Sequence, residues 1–214
     1  KGDTHRRSQI LVLGLVLLLA VNIPVGVSMA VPEDHGPISR GISRACSGGM
    51  PSPPDVNGER WGDWVLDCPN EGVNLTFENI KIHGSIIVKN GTTLRLASNS
   101  KIIQLFNSTH HYNFKVEKNA QLLVLERSEI HADRFIAEPT SDVTLISSKL
   151  YAAGSMNLSG GVLNLNDTII ENQAPNGAVG EAGGDADLVF NAATTSFTGS
   201  TIRSLGGTGG PGKP

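Results

Sequence analysis

Apolar and polar residues alternate along most of this chain, and a hydroxyl residue punctuates the alternation at recurring intervals. The clearest unit is Leu163-Asn-Leu165-Asn-Asp-Thr168-Ile-Ile170. Its spacing returns in Leu75-x-Phe77-x-x-Ile80-x-Ile82, Leu123-x-Leu125-x-x-Ser128-x-Ile130, Val143-x-Leu145-x-x-Ser148-x-Leu150 and Thr195-x-Phe197-x-x-Ser200-x-Ile202. Leu94-x-Leu96 with Ser100-x-Ile102 fits with an extra residue. A period of two is that of a strand with one buried face, so each unit predicts strands meeting at a Ser/Thr corner. There a small hydroxyl can bond the backbone of the next rung.

Unit starts lie about 19, 29, 20, 20 and 32 residues apart, a period near 20 lengthened twice by insertions, which is the signature of a solenoid. Another mostly apolar column, Ile87, Val116, Ile136, Met156 and Leu188, precedes the units and gives each coil a third inward patch. Strands that return to stack on their equivalents about 4.8 Å away predict an all-β fold, a right-handed parallel β-helix solenoid of about six coils. Two continuous buried stacks are expected: Leu96, Leu125, Leu145, Leu165 and Phe197, and Ile102, Ile130, Leu150 and Ile170.

The repeat, with its lead-in Trp61-Gly-Asp-Trp64-Val-Leu-Asp-Cys68 and the following Gly84-Ser-Ile-Ile-Val-Lys-Asn-Gly91-Thr-Thr-Leu94, resembles the pectin-lyase-like right-handed β-helix superfamily. Within it the chain is most similar to β-helix proteins exported to archaeal and bacterial cell surfaces. The resemblance spans residues 61–205. It implies a fold more than an activity, because that superfamily hosts lyases, hydrolases, epimerases, adhesins and structural rods.

Ahead of the solenoid, residues 1–30 carry basic Lys1, Arg6 and Arg7, an apolar run from Ile10 to Val21, and a Ser28-Met-Ala30 ending. This layout predicts a secretory signal peptide cleaved after Ala30; the alternative is an uncleaved membrane-anchor helix. Residues 31–60 are rich in Pro, Gly and Ser and read as a linker and irregular cap. Residues 206–214 are a Gly-rich tail, and the chain reads as an excerpt of a longer one. Cys46 and Cys68, the only 2 cysteines, form an isolated pair that in an exported protein predicts one disulfide pinning the cap to the first coil. Trp61 and Trp64 read as a lid over the open apolar end, with a sugar-stacking platform as the alternative.

Composition narrows the partners. A net charge of -3 with scattered basic residues argues against nucleic acid. Aromatics at 5% suit stacked strands with tight corners better than a helical domain. Sequons at Asn74, Asn90, Asn107, Asn157 and Asn166 are glycan acceptors if the chain is exported to a glycosylating compartment.

For catalysis, glycoside hydrolysis needs paired carboxylates, and Glu126, Glu129, Asp142 and Asp167 do not share a column. Asp185-Ala-Asp187 is a weak calcium candidate, since that ion wants six or more oxygens; no other cofactor is expected. His110-His111 lacks a carboxylate nearby in sequence to orient it. The segments 104–114 and 171–187 interrupt the repeat after the same Ile column, so they should emerge along one edge, often the binding face of a repeat protein.

Taken together, these features predict an extracellular or cell-surface β-helix, a non-enzymatic structural rod or carbohydrate- or cell-contacting module. Contact with a membrane is expected only through the N-terminal segment if it stays uncleaved; the oligomeric state is open. The alternative is a polysaccharide-processing lyase or glycoside hydrolase whose active residues lie either in a continuation of the chain or among Asp185, Asp187, His110 and His111.

Overall fold

The computed structural model describes residues 41–44, 59–76, 78–107, 109–177 and 182–210. After a strand β1 (Gly41–Arg44), the chain winds through coils of three strands. They are β2 (Glu59–Trp61), β3 (Trp64–Leu66) and β4 (Gly72–Thr76), then β5 (Asn79–His83), β6 (Ile86–Val88) and β7 (Thr93–Ala97). Next come β8 (Lys101–Gln104), β9 (Asn113–Val116) and β10 (Gln121–Val124), followed by β11 (Glu129–Ala132), β12 (Arg134–Ala137) and β13 (Asp142–Ile146). The last coils are β14 (Lys149–Ala152), β15 (Met156–Leu158) and β16 (Val162–Asn166), and β17 (Ile169–Gln173), β18 (Leu188–Phe190) and β19 (Thr194–Thr198); β20 (Thr201–Leu205) starts another.

Every third strand pairs, so three sheets form among the described residues: β1-β4-β7-β10-β13-β16-β19, β2-β5-β8-β11-β14-β17-β20 and β3-β6-β9-β12-β15-β18. All pairings are parallel except β1 on β4, which is antiparallel. The first and third sheets keep six stacked parallel strands and the second seven, the arrangement of a β-helix solenoid.

Strict register explains why the pattern was readable. In the first sheet Leu75, Leu96, Val124, Leu145, Leu165 and Phe197 are successive partners. In the second, Ile80, Ile102, Ile130, Leu150, Ile170 and Ile202 are. Trp64, Ile86, Phe114, Phe135, Met156 and Leu188 do the same in the third, where the Phe114 and Phe135 rings stack 5.4 Å apart. These columns fill one core, open at the last described rung, where Phe197 is 49% exposed.

The hydroxyl corner ties rungs together. Ser100 Oγ accepts the Glu78 N–H, Ser128 Oγ the Ser100 N–H, and Ser200 Oγ the Thr168 N–H, while Thr168 Oγ1 donates to the Leu145 carbonyl. Ser148 is buried in the same column, yet its Oγ has no hydrogen-bond partner.

Some expected positions shift. Leu122 and Val124 point inward where Leu123 and Leu125 were expected, because the corner after β10 holds an additional residue: both Glu126 and Arg127 take left-handed φ values. The first unit is displaced by two residues, Val73 and Leu75 being the partners of Leu94 and Leu96; Phe77 lies outside the described residues. Ile86 and Phe135 are core residues, so Ile87 and Ile136 face outward. Trp64 is fully buried in the third-sheet column, whereas Trp61 is 76% exposed and lies flat on His83, centroids 3.8 Å apart. The pair of tryptophans therefore divides between core and surface.

The signal or anchor expectation for residues 1–30 and the partner cysteine Cys46 lie outside the described residues. Cys68 is buried in the core, its N–H donating to Thr92 Oγ1 at 2.8 Å. Among the described residues no helix is long and apolar enough to cross a membrane.

Candidate functional site

Both long insertions leave the solenoid at the corner between the second and third sheets, one between β8 and β9 and the other between β17 and β18. Elsewhere that corner is short: Gly84-Ser85, Asp133 alone, or Ala153-Gly154-Ser155. Gly84 is required there, since a Cβ would collide with the backbone of Gly62 on the preceding rung.

One inward column of the second sheet marks where the chain departs. Ile82 pairs with Gln104, and Ala132, Ala152, Asn172 and Ser204 continue the line. Where the corner is short the residue is apolar; where the chain leaves, it is polar. Gln104 Nε2 donates to the carbonyls of Gly84 and Asn113, Asn172 Nδ2 to that of Asp187, and Ser204 Oγ to that of Ala186. Gln104 and Asn172 thus each hold the returning end of their own loop. A buried carbonyl needs such a donor.

The two insertions meet over a groove of about 570 Å³. The first contributes Phe106, Asn107 and His111, the second Pro175, Asn176, Gly177, Ala182, Gly184 and Asp185; Asp133, Arg134, Ala153 and Gly154 form the floor between them. The expectation that both emerge along one edge holds.

Within the groove the structure supplies what the sequence concealed. Asp133 is 1% exposed and accepts the Tyr112 N–H at 2.6 Å, and its two carboxylate oxygens lie 3.2 and 3.1 Å from His111 Nδ1. With the proton on Nδ1 donated to Asp133, His111 Nε2 keeps a lone pair, the arrangement that fixes an imidazole's tautomer and orientation. Asp133 is one coil from His111, a separation that a search of neighbouring sequence passes over. His110 turns away into its loop, Nδ1 2.8 Å from Thr109 Oγ1.

Asp185 lines the groove, while Asp187 uses its carbonyl to accept from Asn172 and Met156. Among the described residues no three His, Cys, Asp or Glu side chains are placed to hold a metal. None of Asn74, Asn90, Asn107, Asn157 and Asn166 is buried. Asn107 Oδ1 accepts the N–H groups of Thr109 and His110 and the Thr109 hydroxyl.

A second cavity of about 280 Å³ adjoins on the outer face of the second sheet, sharing Phe106 and Ala153. Near it, Glu129 lies 3.0 Å from each of Lys101 Nζ, Lys149 Nζ and His131 Nε2. Burial pushes its carboxyl up, but hydrogen bonds from His131, Lys101 and Lys149 outweigh that and bring it down to about 2. Burial pushes the His131 imidazole below its ordinary value, and Lys101 and Lys149 add to the shift against the opposing pull of Glu129. On the third sheet Lys115 bridges Glu138 at 2.7 Å and Glu117 at 3.9 Å, with Lys89 completing the chain at 3.0 Å from Glu117.

Comparison with known proteins finds no matching family model, curated protein or solved structure.

Proposed function

We propose that this protein is an extracellular or cell-surface β-helix of the right-handed, pectin-lyase-like kind, a non-enzymatic module on a rigid rod that contacts carbohydrate at the corner between the second and third sheets. The observation that carries this reading is the convergence of both insertions on one groove while the remaining coils stay regular. Loops positioned by a rigid scaffold are where binding concentrates. Phe106 offers an apolar face there, and Arg134, Asn107, Asn176 and Asp185 offer the few polar groups that orient a ligand. Export, glycans on the sequons and a Cys46–Cys68 bridge belong to the same reading.

Calorimetric titration of the intact chain with cell-surface polysaccharides tests it. Binding is expected, and Arg134→Ala should weaken it about tenfold, or 1.4 kcal/mol, with unchanged thermal unfolding. Absence of binding to any polysaccharide rejects the proposal.

His111, braced by buried Asp133 in the groove that Asp185 also lines, favours a second reading as a polysaccharide-processing enzyme. His111 Nε2 would take a proton from water or substrate, and Asp133 would stabilise the imidazolium so formed. Release of reducing ends or unsaturated products by the intact protein, abolished in His111→Ala and Asp185→Asn, would select this alternative.

A further inference from the structure

Tyr151 faces outward because Leu150 and Ala152, its neighbours in β14, occupy the core. Strand register places it between His131 on the preceding coil and Glu171 on the following one, a column of three polar side chains along the rod. Its ring lies 4.6 Å from that of His131, tilted by 36°. His131 is itself held by Glu129, so the phenol ring rests on a fixed support rather than swinging free.

Phe106, 41% exposed at the start of the first insertion, also lines this cavity, as do Glu171 and Gln173. Charge around this cavity is already paired: Glu171 faces Arg203 Nη1 at 4.0 Å, and Lys149, which also approaches the Tyr151 hydroxyl, is held by Glu129 at 3.0 Å. The adjoining groove differs, with the exposed charged side chains Arg134 and Asp185 among its lining residues.

From this contrast we infer that the Tyr151 cavity is a second subsite, which takes a neutral pyranose unit of an oligosaccharide running past Phe106 into the groove. The inference rests on the carbohydrate reading above. A pyranose presents a face of C–H bonds and a rim of hydroxyls. Tyr151 and Phe106 supply aromatic surfaces for the face, while the Gln173 amide, the Glu171 carboxylate and the Tyr151 hydroxyl supply partners for the rim. A charged sugar would find no free opposite charge among these groups and would lose hydration without compensation. Prior fixing of Tyr151 lowers the ordering penalty of binding.

The test titrates the full chain with disaccharides and hexasaccharides of the β-glucan, mannan and xylan series and with oligogalacturonates, using wild type, Tyr151→Ala, Tyr151→Phe and Arg134→Ala. A neutral hexasaccharide should bind about tenfold more tightly than its disaccharide, a difference of 1.4 kcal/mol. Tyr151→Ala should erase that gain and leave disaccharide binding intact, Tyr151→Phe should retain most of it, and Arg134→Ala should weaken both lengths. If Tyr151→Ala leaves the neutral hexasaccharide unaffected, or if only oligogalacturonates bind, the second subsite is wrong while the groove reading survives. No binding by any series to wild type overturns both.

Discussion

The corner between the first and second sheets and the corner between the second and third belong to the same coil yet obey different rules. The first hardly changes length. It turns on one left-handed residue at Ser147, Asp167 and Gly199, or on two at Ser98-Asn99 and Glu126-Arg127. Gly199 combines a positive φ with a close approach to the Asp167 carboxylate that a Cβ would obstruct. Buried hydroxyls there bond across to the neighbouring rung, so lengthening the turn by several residues would break several bonds at once.

The second corner ranges from one residue at Asp133 to the insertions that build the groove. Its polar side chains, Gln104 and Asn172, bond to the returning backbone of their own loop, so the loop can vary while the rung stays closed. One corner thus fixes register, and the other is free to vary in length. Surface loops are inexpensive to lengthen because closure entropy grows only logarithmically.

The largest expected effect breaks the register side of this contrast. Leu145→Ala removes a fully buried side chain beside the hydroxyl corner and should destabilise by about 2–5 kcal/mol. Leu125→Ala, on an outward position, should stay within about 0.5 kcal/mol. Chemical denaturation of both variants decides whether Val124 or Leu125 holds the core column.

Glu129 tests electrostatic locking between rungs. Its depressed carboxyl contributes stability that is fully present above the ordinary value of 4.5 and is lost as pH falls from there through about 2. With 22% of the side chain exposed, solvent screening reduces the contribution to on the order of 1 kcal/mol. Denaturation of Glu129→Gln against wild type should show this difference at neutral pH and its closure toward pH 2.

Of similar size, Ser128→Ala removes the acceptor for the Ser100 N–H and should destabilise by roughly 0.5–1.5 kcal/mol. Ser148→Ala, deleting a buried hydroxyl without a partner, should be neutral or slightly stabilising. Equal losses would mean that the hydroxyl column acts through size alone.

The smallest stability change is expected at the other corner. Deleting residues 175–185 leaves Ala174, Ala186 and Asp187 to join β17 to β18, as Ala153, Gly154 and Ser155 join β14 to β15. Thermal unfolding should shift by no more than about 0.6 kcal/mol per doubling of loop length, while carbohydrate binding falls.

How far the sequence could be read follows from the same two corners. Leu150 and Leu165 were legible because each is flanked by polar residues, and Leu145 and Ile170 because an unvarying turn through Ser148 or Thr168 links each to one of them. Register slipped at Leu122-Leu123-Val124-Leu125 and at Ile86-Ile87-Val88, where apolar residues occur in runs: alternation has no phase there, and only the pairing of rungs supplies it. At the groove, Asp185 and His111 were visible as residue types. Asp133 was not, because its partnership with His111 spans a whole coil. The switch from Ile or Ala to Gln104 and Asn172 was a sequence signal for loop bracing, readable only once the inward column had been aligned.

Strand β1 carries a consequence for assembly. Parallel and antiparallel neighbours require different hydrogen-bond spacings and directions along a shared edge. By lying antiparallel on β4, β1 ends the first sheet, among the described residues, with an edge of reversed polarity. A second rod extending this one head to tail would have to add its terminal rung in the common parallel sense, and at β1 it meets a strand running the wrong way. Among the described residues this is the one rung-to-rung pairing of opposite direction, so a further coil added there in the common sense would meet the alternating bond spacing of an antiparallel pair instead of the even spacing that runs through the rest of the sheet.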